Sequence, residues 1–239
     1  GRAPAVAGDG VLARGGALLA GAPLATGTGV RLALAWGTGG VVRVDAGSRL
    51  ECRADRVLLR AGAVYVESAA DGAAPLVETP LGVVRHLGTR YEVRVAPRTV
   101  AVTVRDGRVE FARLRRTELV AAAGERLAVD VGGGVMREPV AADDARWSWT
   151  ESVAPPFAIE GRTLHEFVAW YARQSGRALR YASPAIRAAA GVLVLRGSVD
   201  GLAPAEALAA VLSTTRFRAQ IEDGALVVAA REDTRGMLR

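Results

Sequence analysis

At 239 residues, half of them hydrophobic, the chain can bury one large core or two modest ones. Its net charge of +6 would suit nucleic acid, but all 31 basic residues are arginines scattered along strand-like runs. Aromatics are only 5%, too few for a base-stacking platform, so that partner is set aside.

The single cysteine, Cys52, leaves no partner for an intrachain disulfide and reads as a small core residue. No window approaches the length of a membrane span. The apolar stretch at residues 15–25 is short, broken by Gly and Pro, and follows no basic region. It reads as a strand pair and not as a signal peptide, so a membrane anchor is expected only upstream of Gly1.

Residues 1–10 are expected to be ordered only in part. From there to about Val129 no helical period is evident. Short alternating apolar runs recur, each ended by a turn signal. Val30, Leu32 and Leu34 precede Gly37-Thr38-Gly39-Gly40; Val42 and Val44 precede Asp45-Ala46-Gly47-Ser48. Val57 and Leu59 lead to Gly62, Val64 and Val66 to Asp71-Gly72, and Leu76-Val77 to Pro80 and Gly82. Tyr91, Val93 and Val95 lead to Pro97. The clearest hairpin is Val100, Val102 and Val104, then Asp106-Gly107, then Val109 and Phe111. Short strands with turn signals at this interval predict an all-β solenoid, roll or sandwich over residues 1–135, and the tight glycine corners between single strands favour the solenoid-like or roll-like stack.

Several of these runs resemble a FecR-type domain. They are residues 56–66, Thr79-Pro80-Leu81-Gly82, Gly88-Thr89-Arg90-Tyr91-Glu92-Val93, the stretch 102–109, and residues 119–127 around Ala123-Gly124-Glu125. The resemblance covers roughly residues 28–130.

Residues 136–156 have the composition of a connection, with Asp143-Asp144 and Pro155-Pro156. Trp147 and Trp149 interrupt it, and their alternation predicts that one is partly exposed.

Residues 157–231 carry the most specific pattern. Phe157 and Ile159 suggest a short strand. Thr163 and Glu166 form a capping box ahead of a helix with Leu164, Phe167, Val168 and Tyr171 on one face, ended by Gly176. Leu179 and Tyr181 give a brief strand, and a helical turn or two follows Ser183-Pro184. Val192, Val194 and Val199 read as another strand. Pro204 opens a second helix with Leu208, Val211 and Leu212 inward. Finally, residues 217–221 and 226–228 flank Asp223-Gly224 as a hairpin. The predicted order is β-α-β-β-α-β-β. With Phe157-Ala158-Ile159-Glu160-Gly161-Arg162-Thr163-Leu164, Ser175-Gly176 and residues 197–208 in it, this unit resembles the short N-terminal signalling (STN) domain of secretins and TonB-dependent transducers. A FecR region followed by such a domain is the periplasmic layout of FecR-family sigma-factor regulators.

Little in the chain suggests catalysis. His86 reads as a turn residue bonded to backbone, and His165 as a surface residue of a first helical turn. The two histidines and one cysteine leave no zinc-ligand spacing, and Asp143-Asp144 lacks a calcium ligand array. The glycine-rich loops precede strands and lack the helix N-terminus that holds phosphate. A sugar-cleaving site needs two carboxylates at a set distance. Glu67, Glu78, Glu92 and Glu110 lie on strand-like segments, and whether any two of them meet is not set by the sequence. No enzyme, cofactor or metal is expected.

What the resemblance implies is a periplasmic receiver, anchored to the inner membrane, that binds the signalling domain of an outer-membrane transducer. An envelope scaffold or a glycan- or peptidoglycan-binding protein is the alternative. Strand addition to an open sheet edge is the expected means of binding. The candidate contacts are His165, Trp170 and Arg173 on the first helix, with Leu193, Leu195 and Val199 on the strand after it.

Overall fold

The computed structural model describes residues 21–37, 40–68, 74–86, 88–113 and 118–231. The expected turn at Asp71-Gly72, and most of the strand pair at 15–25, lie outside them. The chain divides into two compact units, Gly1–Asp144 and Ala145–Arg239.

The first unit is all β among its described residues. Its strands are β1 (Pro23–Ala25), β2 (Leu32–Trp36), β3 (Gly40–Val44), β4 (Arg49–Cys52), β5 (Arg56–Glu67), β6 (Leu76–Thr79) and β7 (Gly82–His86). There follow β8 (Arg90–Ala96), β9 (Thr99–Asp106), β10 (Arg108–Arg113), β11 (Leu119–Ala122), β12 (Glu125–Asp130) and β13 (Val135–Pro139). All belong to one curled 13-stranded sheet.

The curl is made by β5. Its first half pairs with β4 and β6, and its second half, from Gly62 on, pairs with β3 and β8. Sequence alternation suggested two strands here, separated by a glycine corner. The backbone instead bends through one twelve-residue strand. Gly62 stands at the bend with φ +84, and a Cβ there would lie 2.5 Å from the Ser48 Cα. Only glycine supplies that dihedral without a side chain in the way.

The expected solenoid is corrected by the pairing. Every ladder of this unit is antiparallel except β5 with β6, whereas a solenoid stacks successive coils as parallel neighbours. Gly- and Asp-rich turns serve both arrangements, so turn chemistry alone could not separate them. The Asp106-Gly107 hairpin is corrected too. β9 pairs with β8 and β12, while β10 pairs with β7 and β11, so the turn carries the chain from one half of the sheet to the other.

One apolar cluster fills the curl, with inward side chains from β1 through β12, including Val64, Val93, Val102 and Phe111. Each fully buried aliphatic side chain contributes about 1.5–3 kcal/mol. Cys52 belongs to this core, and burial, with Glu51 nearby, pushes its thiol up to about 12.

Residues 136–156 were expected to be a connection, yet they are structured. Val135–Pro139 pairs with β12, Ala145–Trp147 forms a 3-10 turn, and α1 spans Ser148–Glu151. Trp147 and Trp149 are both buried. The alternation argument assumed extended backbone, and the backbone there is helical.

The second unit continues with α2 (Leu164–Ser175), β14 (Ala178–Tyr181), α3 (Pro184–Val192), α4 (Pro204–Ser213), β15 (Phe217–Glu222) and β16 (Ala225–Ala230). Its sheet has the order β14-β16-β15, with β14 parallel and β15 antiparallel to the centre. Phe167, Val168, Val211, Phe217 and Val228 anchor a separate core.

Two expected strands are absent here, so the predicted β-α-β-β-α-β-β order is not what the backbone adopts. Residues 157–159 are irregular, and α3 runs on through Val192. All that remains of the pair is a single bridge between Thr163 and Val194. Gly197 and Gly201, both at positive φ, turn the chain before a longer ladder can form.

Candidate functional site

Helix α2 is fixed at both ends by local chemistry. Thr163 Oγ1 accepts from the Glu166 N–H at 3.3 Å, and Glu166 Oε2 accepts from the Thr163 N–H at 2.8 Å. Gly176 closes the helix in the left-handed region. These anchors set the position of three expected contact residues. His165 is half-buried, its Nδ1 2.6 Å from the Tyr181 hydroxyl on β14. Burial holds the Tyr181 phenol above its ordinary range, though nearby Arg187 opposes the shift. Trp170 is half-buried in an aromatic trio, its ring centroid 5.6 Å from both Phe157 and Phe167. Arg162 lies over the outer face of that group, 5.4 Å from the Phe157 centroid. Arg173 is solvent-exposed in the last turn.

The other three residues lie on the segment after α3. Leu195 and Val199 are 6% exposed and belong to the core of the unit; Leu193 packs partly against it. Their backbone is also engaged. Leu195 N–H donates to the Arg162 carbonyl at 2.7 Å, and Leu193 O accepts from Leu164 N–H at 2.8 Å. The structure thus joins this segment to the start of α2, and the outward side chains are Val192 and Val194, 77% and 48% exposed. The alternation of Val192 and Val194 against Leu193 and Leu195 was the signal for this. Of the three expected contacts here, Leu195 and Val199 are therefore turned into the core.

The sheet of the second unit has two edge strands, β14 and β15, and the edge suited to strand addition is β15. Asp223 and Gly224 both have positive φ, 49° and 72°, which makes a two-residue hairpin turn of the mirror-image type. In such a hairpin Glu222 and Ala225, then Gln220 and Val227, exchange the ladder bonds. Ala219 and Ile221 therefore turn their N–H and C=O away from β16. Phe217 would do the same, but its N–H is taken by Thr215 Oγ1 at 3.2 Å. Ile221 is 49% exposed at the end of this edge. The sequence held the cue, since Asp223-Gly224 fixes the register, but it could not show that β15 rather than β14 or β16 is last in the sheet on that side.

Three of the four strand carboxylates are held by arginines. Glu67 is held by Arg43 at 2.9 Å, Glu78 by Arg56 at 3.2 Å and Glu92 by Arg94 at 2.9 Å. Glu110 lies across the ladder from Arg85. His86 Nε2 lies 3.0 Å from the Ala74 carbonyl. Among the described residues no three His, Cys, Asp or Glu are grouped to hold a metal, and no helix is long and apolar enough to cross a membrane.

Residues 22–110 match the family described as FecR protein. That span takes in β1 to β9 and the start of β10, the part of the chain that curls around β5. Two crystal structures of a putative anti-sigma factor from Parabacteroides distasonis ATCC 8503 are similar to the chain at 18% and 17% identity. Each has a TM-score of 0.46 and covers 87% of this chain and 98% of its own. No curated protein matches.

Proposed function

We propose that this chain is the periplasmic signal-receiving region of a FecR-type sigma-factor regulator, working by protein–protein binding and anchored to the inner membrane through a segment upstream of Gly1. The observation that carries the reading is the FecR match over residues 22–110. The partner is the signalling domain of an outer-membrane TonB-dependent transducer. The second unit receives it by strand addition on β15, where Ala219 and Ile221 offer unpaired backbone groups and Ile221 an exposed apolar side chain. His165 and Arg173 on α2 are a second contact surface of the same partner.

The test is a pull-down with the signalling domain of the transducer encoded beside the regulator, read together with a reporter for the sigma factor. Ala219→Pro removes an outward N–H and leaves the β15–β16 ladder intact, so it should abolish capture while the far-ultraviolet spectrum is kept. Arg173→Glu should weaken capture. Undiminished binding by Ala219→Pro would move the contact off β15. Absence of capture by the unaltered chain, with the reporter unresponsive, would remove the regulator reading itself.

A further inference from the structure

The end of the first unit opposite the β9–β10 turn holds two adjoining cavities, of about 180 and about 140 Å³, which share Pro80, Leu81 and Val131 in their walls. Three turns build them: β6 to β7, β8 to β9 and β12 to β13. The last two are tied by a hydrogen bond from Val131 N–H to the Arg98 carbonyl at 3.0 Å. The larger cavity is floored by apolar atoms, with Val95 and Val100 reaching it from the core and Val131 52% exposed at its lip.

The rim is cationic. Arg60 and Arg98 line the larger cavity, are solvent-exposed and make no ion pair among the described residues. Arg113 lines the smaller one and donates to the Gly133 carbonyl at 3.1 Å. Asp130 is the one acid in either wall, and its carboxylate accepts the Gly134 N–H at 3.0 Å.

We infer that this cleft binds an acidic peptide segment, seating one aliphatic side chain of it in the larger cavity while flanking carboxylates meet Arg60 and Arg98. Size and charge choose that occupant. The larger cavity, at about 180 Å³, has room for one leucine-sized side chain. Two unpaired guanidinium groups beside an apolar floor match carboxylates set around an apolar anchor. The site lies in the β unit, away from the β15 edge in sequence and in element. It holds whether or not the chain regulates a sigma factor.

The probe is a fluorescein-labelled peptide of sequence Asp-Glu-Leu-Asp-Glu, titrated into the full chain by anisotropy and, unlabelled, by amide chemical-shift mapping. The expected result is saturable binding with shifts centred on residues 80–81, 95–100 and 131. Arg60→Glu with Arg98→Glu, both surface changes, should weaken binding about tenfold or more, as should serine for the peptide's leucine. A chain of net charge +6 attracts any acidic peptide, so the serine peptide is the decisive control. Equal binding of the two peptides would overturn the inference. So would shifts elsewhere, no shift at about 1 mM peptide, or the same residues responding to a chitin or peptidoglycan fragment and not to the peptide.

Discussion

Ser48 occupies the space that any side chain on Gly62 would need. Its Cα lies 2.5 Å from the position of a Gly62 Cβ, and its hydroxyl bonds both polar groups of the Ala63 backbone, at 3.0 Å to the N–H and 3.2 Å to the carbonyl. The bend of β5 and the loop before β4 are therefore one packed object. Gly62→Ala should cost about 3 kcal/mol or more, from the positive φ and from a clash with backbone that cannot swing away. Gly47→Ala has a similar φ of +68 but open space around it, and should cost only about 1 kcal/mol. Urea unfolding followed by circular dichroism separates the two. Equal losses would mean that the Ser48 contact relaxes freely.

Asp45 is the acid around which one end of the same sheet is stapled. Its carboxylate accepts from Arg31 Nε and from the Ala46 N–H, both at 2.8 Å, and from Arg94 at 3.1 Å. Burial alone would push the carboxyl up, but these three bonds outweigh it and hold it below its ordinary range. A lowered folded-state pKa stabilises at pH above the unfolded value, about 4, and that contribution is lost as pH falls through the folded one. Asp45→Asn should therefore cost about 2 kcal/mol at pH 7. The gap between variant and parent should close as the pH drops below about 4. A gap that is constant with pH would show that the charge is not what matters.

How much of this was legible is clearest from two identical dipeptides. Asp223-Gly224 and Asp106-Gly107 both read as hairpins between alternating strands. In the first, both residues take positive φ and the strands on either side pair. In the second only Gly107 does, and the flanking strands go to different halves of the sheet. The difference is tertiary. A Cβ on Gly107 would meet Thr89 Cγ2 at 2.6 Å and the Gly88 carbonyl at 2.8 Å, so a neighbouring loop, distant in sequence, sets that turn. The same limit explains the misplaced contact residues. Leu195 and Val199 carry strand-like alternation, but which half faces inward is set by a segment distant in sequence, the turn before α2, where the Arg162 carbonyl and the Gly161 N–H take the backbone bonds of Leu195. The all-β character of the first unit needed only local alternation, and that much could be read directly.

The Thr163–Glu166 box is the opposite case, because every group in it lies within four residues. Thr163→Ala removes the acceptor for the Glu166 N–H and should cost about 1 kcal/mol. Serine at the same place should restore most of it, since only the hydroxyl is required. Thermal unfolding of the three chains gives the comparison. Failure of serine to rescue would assign the loss to the threonine methyl and its packing.

Phe157 decides whether Trp170 can serve as an exposed anchor. Its ring lies edge-on to Phe167 at 5.8 Å and tilted to Trp170 at 5.6 Å, so it shields the indole from one side. Phe157→Ala should cost about 1–2 kcal/mol, less than a fully buried aromatic because the site is half open. Water then reaches the indole, and tryptophan emission should move to longer wavelength. Since Trp36, Trp147 and Trp149 also emit, the shift must vanish when Phe157→Ala is made together with Trp170→Phe. If emission stays where it was, Trp170 is already open to solvent beside an intact Phe157, and it joins His165 and Arg173 on the proposed contact face of α2. If emission moves, a partner that used the indole would first have to displace Phe157, and the edge of β15 becomes the easier place to dock.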